Sequence, residues 1–488
     1  MKFNRIGLFI AAFIYVYCSA FVAAQSNRID RNELPEIGVV ASDTITIDKE
    51  KMIGNVIMRQ MRGQAPMVND PVLDEYIQDL GNRLVSHADN AEFPYTFFII
   101  NNSAINAFAF FGGHIGVHTG LIYRADTESE VASVLAHEVA HVTQRHLARR
   151  MQSAQRASPL QIASLIGGIL LGAVAGDVQA GMAAISASQA ASAQMQINYT
   201  RSNEQEADRI GITMLARAGF DPRGAATFFG KLAEEYRLVS RPPARLLSHP
   251  LPESRIADAR MRVSGLPTRN LPPNKQFHLA KARILSRYIY DAKYSLKHFE
   301  AAVNEIQLVP ESAQYGLALA YLRNDKTKEA KQIIDTLRET DPDNMFYVDT
   351  ATDILIELGE AQEAIDMLTV QLEKSPRNAV ITLNLANAAM KANQHEKATL
   401  ILRDFLLLNP NHLLSHQLLS DAYGSRSQYL EMHQTNAELF ALYAAFPRAI
   451  DELQHAYNFT KDDHLAKQRI RARIQQLRDE EAKLERLL

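Results

Sequence analysis

Apolar residues recur at three- and four-residue intervals through Met52, Ile53, Val56, Ile57 and Met61, and again through Val72, Leu73, Tyr76, Ile77, Leu80 and Leu84. That spacing predicts two amphipathic helices. From 95 to 100 the pattern changes to a β-branched and aromatic run closed by Asn101-Asn102, and 114 to 118 follows a Gly112-Gly113 turn. Both read as strands of a small sheet, the second bordered by the aromatic run Phe108 to Phe111. Thr127 with Glu130 three residues on forms a capping box ahead of Val131, Val134, Leu135, Val139 and Val142, which predicts a helix running to about Met151. Helical spacing returns over 203–218, where Gly219 is a stop, and over 223–236. Pro242-Pro243 and Pro250-Leu251-Pro252 then break the chain into irregular structure.

Beyond a Pro- and Asn-rich linker at 266–276 the sequence becomes almost wholly helical and repeats itself. Ala330, Ala364 and Ala398 stand 34 residues apart, as do Ile334, Leu368 and Leu402, and as do Pro342, Pro376 and Pro410. The period is that of tetratricopeptide repeats: two antiparallel helices per unit, a small residue where they approach closely, and a proline where the second must end. The flanks, 277–310 and 412–460, read as degenerate or capping units. The charged stretch from Arg469 to Leu488 reads as a solvated terminal helix. The fold expected is α+β but mainly helical: a domain with a small sheet over 25–265, the linker, and an α-solenoid over 277–488.

Two stretches are not explained by that frame. Lys2 and Arg5 precede an uncharged apolar run from Ile6 to Val22 that ends in Ala23-Ala24, the form of a cleavable export signal over 1–24. An uncleaved anchor is the alternative. The only cysteine, Cys18, lies inside this run, so an exported mature chain carries no thiol, which suits the bacterial periplasm. The second stretch, 158–200, holds a single charge, Asp177, among Ala, Gly, Ser, Gln, Leu and Ile. It is expected to be a lid or membrane-touching loop, with a membrane span or a buried helix as alternatives. Composition adds that 47% hydrophobic and 22% charged residues describe a globular protein. The net charge of −3 offers no field for holding a phosphate backbone, so nucleic acid is not an expected partner.

The chemistry is concentrated in His137-Glu138-Val139-Ala140-His141. Residues i and i+4 share a helix face, so both imidazoles can hold one tetrahedral zinc. Glu138, beside the open position, can take a proton from a water that the metal has activated. A third ligand is needed, and Glu204 on the next acidic helix can supply it. Asp208, four residues on, can accept a hydrogen bond from a ligand imidazole or steady the helix. Glu206 is expected to point elsewhere as a surface salt-bridging carboxylate, and His114, His118 and His146 to be structural.

His137-Glu-Val-Ala-His141, the Glu204/Asp208 pair, and His249-Pro250 followed by Arg255 resemble the HExxH, ExxxD and HPxxxxR motifs of the gluzincin family, which includes the membrane protease HtpX and the CAAX prenyl protease. One departure is Phe111 before Gly112, where relatives often carry proline. The resemblance covers nearly the whole mature chain. With the export signal and the repeats, it is greatest to those periplasmic members that attend outer-membrane β-barrel assembly. It implies His137, His141 and Glu204 as zinc ligands, Glu138 as general base, Asp208 as a second catalytic carboxylate acting from behind the ligands, and Arg255 as an organiser of the site. It also implies that His249 sits over the metal as a fourth ligand of a latent state, although that residue could instead polarise the substrate carbonyl. The function it implies is a zinc endopeptidase with chaperone-like action on unfolded or stalled outer-membrane proteins, reached through the β-barrel assembly machinery and the repeats, with peripheral membrane contact. A non-catalytic repeat scaffold and an integral membrane protease remain the alternatives.

Overall fold

A computed structural model of the protein describes residues 45–153, 201–238, 249, 253–461 and 463–485. The export-signal expectation at 1–24, the 158–200 stretch and the proline breaks at 242–243 and 250–252 lie outside the described residues. The chain opens with α1 (Ile47–Gln64) and α2 (Pro71–Val85). Their buried faces, Ile53, Ile57 and Met61 on one and Leu73, Ile77, Leu80 and Leu84 on the other, are the stripes read from the sequence.

Between them and the next helices lies a three-stranded sheet of β1 (Thr96–Ile100), β2 (Ala107–Phe110) and β3 (His114–His118), in the order β1-β3-β2. β1 runs parallel to β3, with Thr96 opposite His114 and Ile100 opposite His118; β2 runs antiparallel to β3, with Phe110 opposite His114. Gly112 and Gly113 join the last two at φ +81° and +84°, a conformation that a side chain would strain. The aromatic run therefore forms a strand of its own and does not merely border one. Phe111 in place of proline leaves this hairpin intact.

Short α3 (Thr119–Arg124) leads to α4 (Glu128–Thr143), whose cap Thr127 accepts from the Glu130 N–H. The helix expected to reach Met151 breaks after Thr143: Arg145 turns left-handed at φ +49°, and α5 (His146–Ser153) starts afresh. The cause is tertiary. Arg145 is buried, its Nε donating to Glu50 at 2.8 Å and its Nη2 to the Ile45 carbonyl at 2.7 Å. Helices α6 (Arg201–Arg217) and α7 (Arg223–Leu238) pack on α4, and α8 (Glu253–Ser264) packs on both of them. At Gly211, a Cβ would sit 3.1 to 3.2 Å from the main chain of Ala136 and His137, so glycine lets α6 lie close against α4.

Residues 267–274 carry no helix or strand, and α9 (Lys275–Ile284), continued by a π turn, begins the second half. It is followed by α10 (Ala292–Ala302), α11 (Pro310–Leu322), α12 (Thr327–Thr340), α13 (Met345–Glu357), α14 (Ala361–Lys374), α15 (Ala379–Lys391), α16 (His395–Leu408), α17 (Leu413–Ser425), α18 (Tyr429–Leu442), α19 (Phe446–Asn458) and α20 (His464–Glu485). The two apolar columns have the burial their period demands: Ala330, Ala364, Ala398, Ile334, Leu368 and Leu402 are all enclosed. Pro342, Pro376 and Pro410 each stand two residues past a helix end and two before a cap, Asn344, Asn378 or His412, that starts the next helix. Asp325, Gly359, Asn393 and Ser427, again 34 apart, all take positive φ where each unit turns between its helices.

The two halves share one core. Leu73, Ile77 and Leu80 of α2 belong to the same buried cluster as Phe277 and Ala280 of α9 and Tyr315 of α11. The far end of the solenoid also returns to α1, where Arg59 meets Glu480 of α20 at 2.6 Å. The terminal helix is thus not simply solvated: Ile470 and Leu477 are buried, and Arg473 pairs with Glu438 at 2.6 Å. Among the described residues, no helix is long and apolar enough to cross a membrane.

Candidate metal centre

Every residue of α4 is buried, so the imidazoles one turn apart face protein on all sides. Their Nε2 atoms lie 3.0 Å apart. From α6, Glu204 brings its carboxylate to 3.5 Å from His137 Nε2 and 3.4 Å from His141 Nε2. His249 completes the group: its Nδ1 is 3.4 Å from His137 Nε2 and 3.1 and 3.2 Å from the two Glu204 oxygens. With metal–ligand bonds of about 2.0 to 2.1 Å, a tetrahedral ion sets its donors about 3.3 Å apart. The donor separations scatter about that value, all four ligand atoms lie within 4.8 Å of one another, and the chemistry suits a divalent ion: three imidazoles and a carboxylate, without sulfur. Glu138, fully enclosed, stands next to it, with an oxygen 3.8 Å from His249 Nε2.

Behind the donors lies a second tier. Asp208 Oδ1 is 2.9 Å from His137 Nδ1, which turns the other ring nitrogen toward the donor set. Arg255 donates to both oxygens of Asp208 at 2.7 and 2.8 Å and reaches Glu204 at 2.7 Å, so one guanidinium fixes two carboxylates in a fork. All three are buried. Burial alone would raise the carboxyl pKa values, but the surrounding imidazoles and, at Asp208, Arg255 outweigh it: Glu204 lies well below the ordinary range and Asp208 below it. Burial likewise opposes charge on His137, yet Asp208 and Glu204 lift its pKa above the usual value. His141 is driven well below it by burial and by the neighbouring His137. The pair is electrostatically unequal, and the neutral form that a ligand requires is favoured at His141.

The sequence-derived residues His137, Glu138, His141, Glu204, Asp208, His249 and Arg255 all converge here. Glu206 does point elsewhere and pairs with Arg149 at 2.9 Å. His114 and His118 belong to the sheet, stacked on Phe110 and edge-on to Phe108, and burial pushes both down to about 4. His146 was missed. Its Nδ1 is 2.7 Å from His141 Nδ1 and its Nε2 is 3.2 Å from Glu206. In an unbroken helix, five residues correspond to a rotation of about 140°, which assigns His146 to another face; only the turn at Arg145 returns it.

Residues 71–263 match the model of peptidase family M48, and 312–344 and 355–422 match tetratricopeptide-repeat models. A protein of Vibrio cholerae is 46% identical over 450 residues, covering 92% of this chain and 93% of its own. The β-barrel assembly-enhancing proteases of Escherichia coli (strain K12) and Yersinia pestis are 42% and 40% identical, each alignment covering 91% of both chains. Similarity at this level extends through the metallopeptidase half and the repeats together. The chain therefore belongs to the β-barrel assembly-enhancing protease family, metallopeptidases of family M48 joined to tetratricopeptide repeats.

Proposed function

We propose that this metalloprotease is a zinc endopeptidase of the periplasm that removes stalled outer-membrane β-barrel proteins and is held latent by His249. The observation that carries the reading is the convergence of His137, His141, Glu204 and His249, whose ligand atoms all lie within 4.8 Å of one another, with Glu138 against them. His137, His141 and Glu204 would hold a zinc ion, which would supply Lewis acidity toward a water and a carbonyl. The remaining work falls to the chain. Glu138 takes a proton from the attacking water and returns it to the amide nitrogen as the peptide bond breaks. Asp208 orients His137, and Arg255 keeps both carboxylates in place at no cost in unpaired charge. His249 would be the fourth donor of the latent state and would have to withdraw before water could enter.

The relatives' name supplies the client class, and the repeats offer a surface for clients or an assembly machine. The proposed division is an export signal over 1–24, a metallopeptidase domain over 25–265 with 158–200 as lid or membrane-touching loop, a linker at 266–276 and the repeats over 277–488. The test is casein cleavage and metal analysis on the purified full chain. A single zinc per molecule is expected, with faster cleavage by His249→Ala and a loss of about 10²- to 10⁴-fold in Glu138→Gln. Wild-type cleavage by Glu138→Gln would remove Glu138 as the general base, and no cleavage by either wild type or His249→Ala would leave only a repeat scaffold. Competition of an unfolded outer-membrane barrel protein with casein tests the client class, and no competition would exclude it.

A further inference from the structure

The two metal-facing imidazoles are backed differently. His137 leans on a carboxylate, Asp208. His141 leans on a second imidazole, His146, with ring centroids 4.8 Å apart and planes at 75°. His146 is completely enclosed, so the 2.7 Å contact between the two Nδ1 atoms requires that one donate and the other accept. If His141 offers the Nε2 lone pair to an ion, its proton resides on Nδ1, and His146 Nδ1 accepts it. His146 then carries its own proton on Nε2, which faces Glu206 at 3.2 Å, and Glu206 is held in turn by Arg149 at 2.9 Å. Each nitrogen thus has one role, and the tautomers follow from the anchor inward.

The backbone is arranged to make this contact. Without the left-handed turn at Arg145, secured by Glu50 from α1, His146 would leave the His141 side of the helix. A β-carbon-bearing residue in that conformation costs free energy that the buried ion pair offsets. Glu206 and Glu204 share α6. His146 therefore ties the helix that carries both histidines to the helix that carries the third donor.

We propose that His146, anchored by Glu206, is a positioning residue that fixes the tautomer and orientation of His141 and so sets how tightly the site holds its metal. The inference rests on the reading of His141 as a ligand. The experiment measures zinc affinity of the full chain by competition with a chromophoric chelator, and the visible spectrum of the cobalt(II)-loaded protein, for wild type, His146→Leu, Glu206→Ala and His141→Ala. Loss of such a backing group weakens metal binding by about 10- to 100-fold, expected for His146→Leu together with a shifted cobalt spectrum. Glu206→Ala should show the same changes to a smaller degree, and His141→Ala should lose high-affinity binding. Unchanged affinity and spectrum in His146→Leu and Glu206→Ala, while His141→Ala loses the metal, would reduce His146 to packing. If His146→Leu fails to fold, Glu206→Ala decides alone, since Glu206 is only half-buried and wild-type behaviour there overturns the proposal. Undiminished zinc binding in His141→Ala would instead remove the ligand reading beneath it.

Discussion

In the repeats, buried polar atoms are answered within a helix turn or by the adjacent unit, as Asn384 is by Asp349; in the metal centre, many are answered from far away. Thr352, Thr382 and Thr399 each donate to the carbonyl four residues earlier, and Asn344 and Asn378 cap the helix that follows them. By contrast, His249 is 112 residues from His137, His146 is 60 from Glu206, and Arg145 is 95 from Glu50. Local pairing lets each repeat complete itself and contact mainly its neighbours, so damage spreads in proportion to one unit. A distant network shares its partners, so removing one leaves several charges buried together. The junction is the instructive exception. Arg283, in a helical segment of the second half, bonds Asp70 at 2.7 Å and Asp349 at 2.6 Å, partners 213 and 66 residues away.

The sharpest break in this comparison is Arg255→Met. It strands Asp208 and Glu204 without their shared cation, and we expect a loss of about 4 kcal/mol, seen in denaturant unfolding together with loss of bound metal and hydrolysis. Leu368→Ala in the repeats should cost about 3 kcal/mol through its cavity. Its hydrogen-exchange footprint should stay within α13 to α16, and cleavage of a short unstructured peptide should be unchanged. Spread of that footprint into α4 would erase the distinction.

Asp70→Asn should cost about 2 kcal/mol, since Arg283 keeps Asp349 and the Tyr315 hydroxyl at 2.8 Å. Burial raises the Asp70 pKa, but Arg283 and Arg287 more than reverse this, leaving it below the ordinary carboxyl value. Its stabilisation is therefore present above the unfolded value of about 3.9 and is lost as pH falls through the lower folded one. Acid titration of stability should show that loss in wild type and not in Asp70→Asn. The smallest effect belongs to Arg59→Ala, a partly exposed pair with Glu480, at no more than about 1 kcal/mol and shrinking with salt.

The same contrast sets what could be read from sequence. The 34-residue columns and the i, i+4 histidines are local patterns, and their residues lie where the spacing puts them. Glu204 and Asp208 were legible because one helical turn separates two carboxylates that act on one face. The break at Arg145 was not, since Gln144-Arg145-His146 contains no glycine or proline and the turn is imposed by Glu50. The contact of His146 with His141 was not legible for the same reason. β2 escaped as a strand because four residues give periodicity too little to work on. Docking of the terminal helix depends on Glu438 and Arg59, which no local pattern in that helix announces.

The most direct test of the donor set is X-ray absorption at the zinc edge on the purified full chain, alongside Glu204→Ala. The account predicts four nitrogen and oxygen donors at about 2.0 to 2.1 Å, with imidazole scattering, in the wild-type protein, and loss of the ion in the variant. A folded wild-type chain without metal, or an ion whose shell contains no imidazole and survives Glu204→Ala, would contradict it.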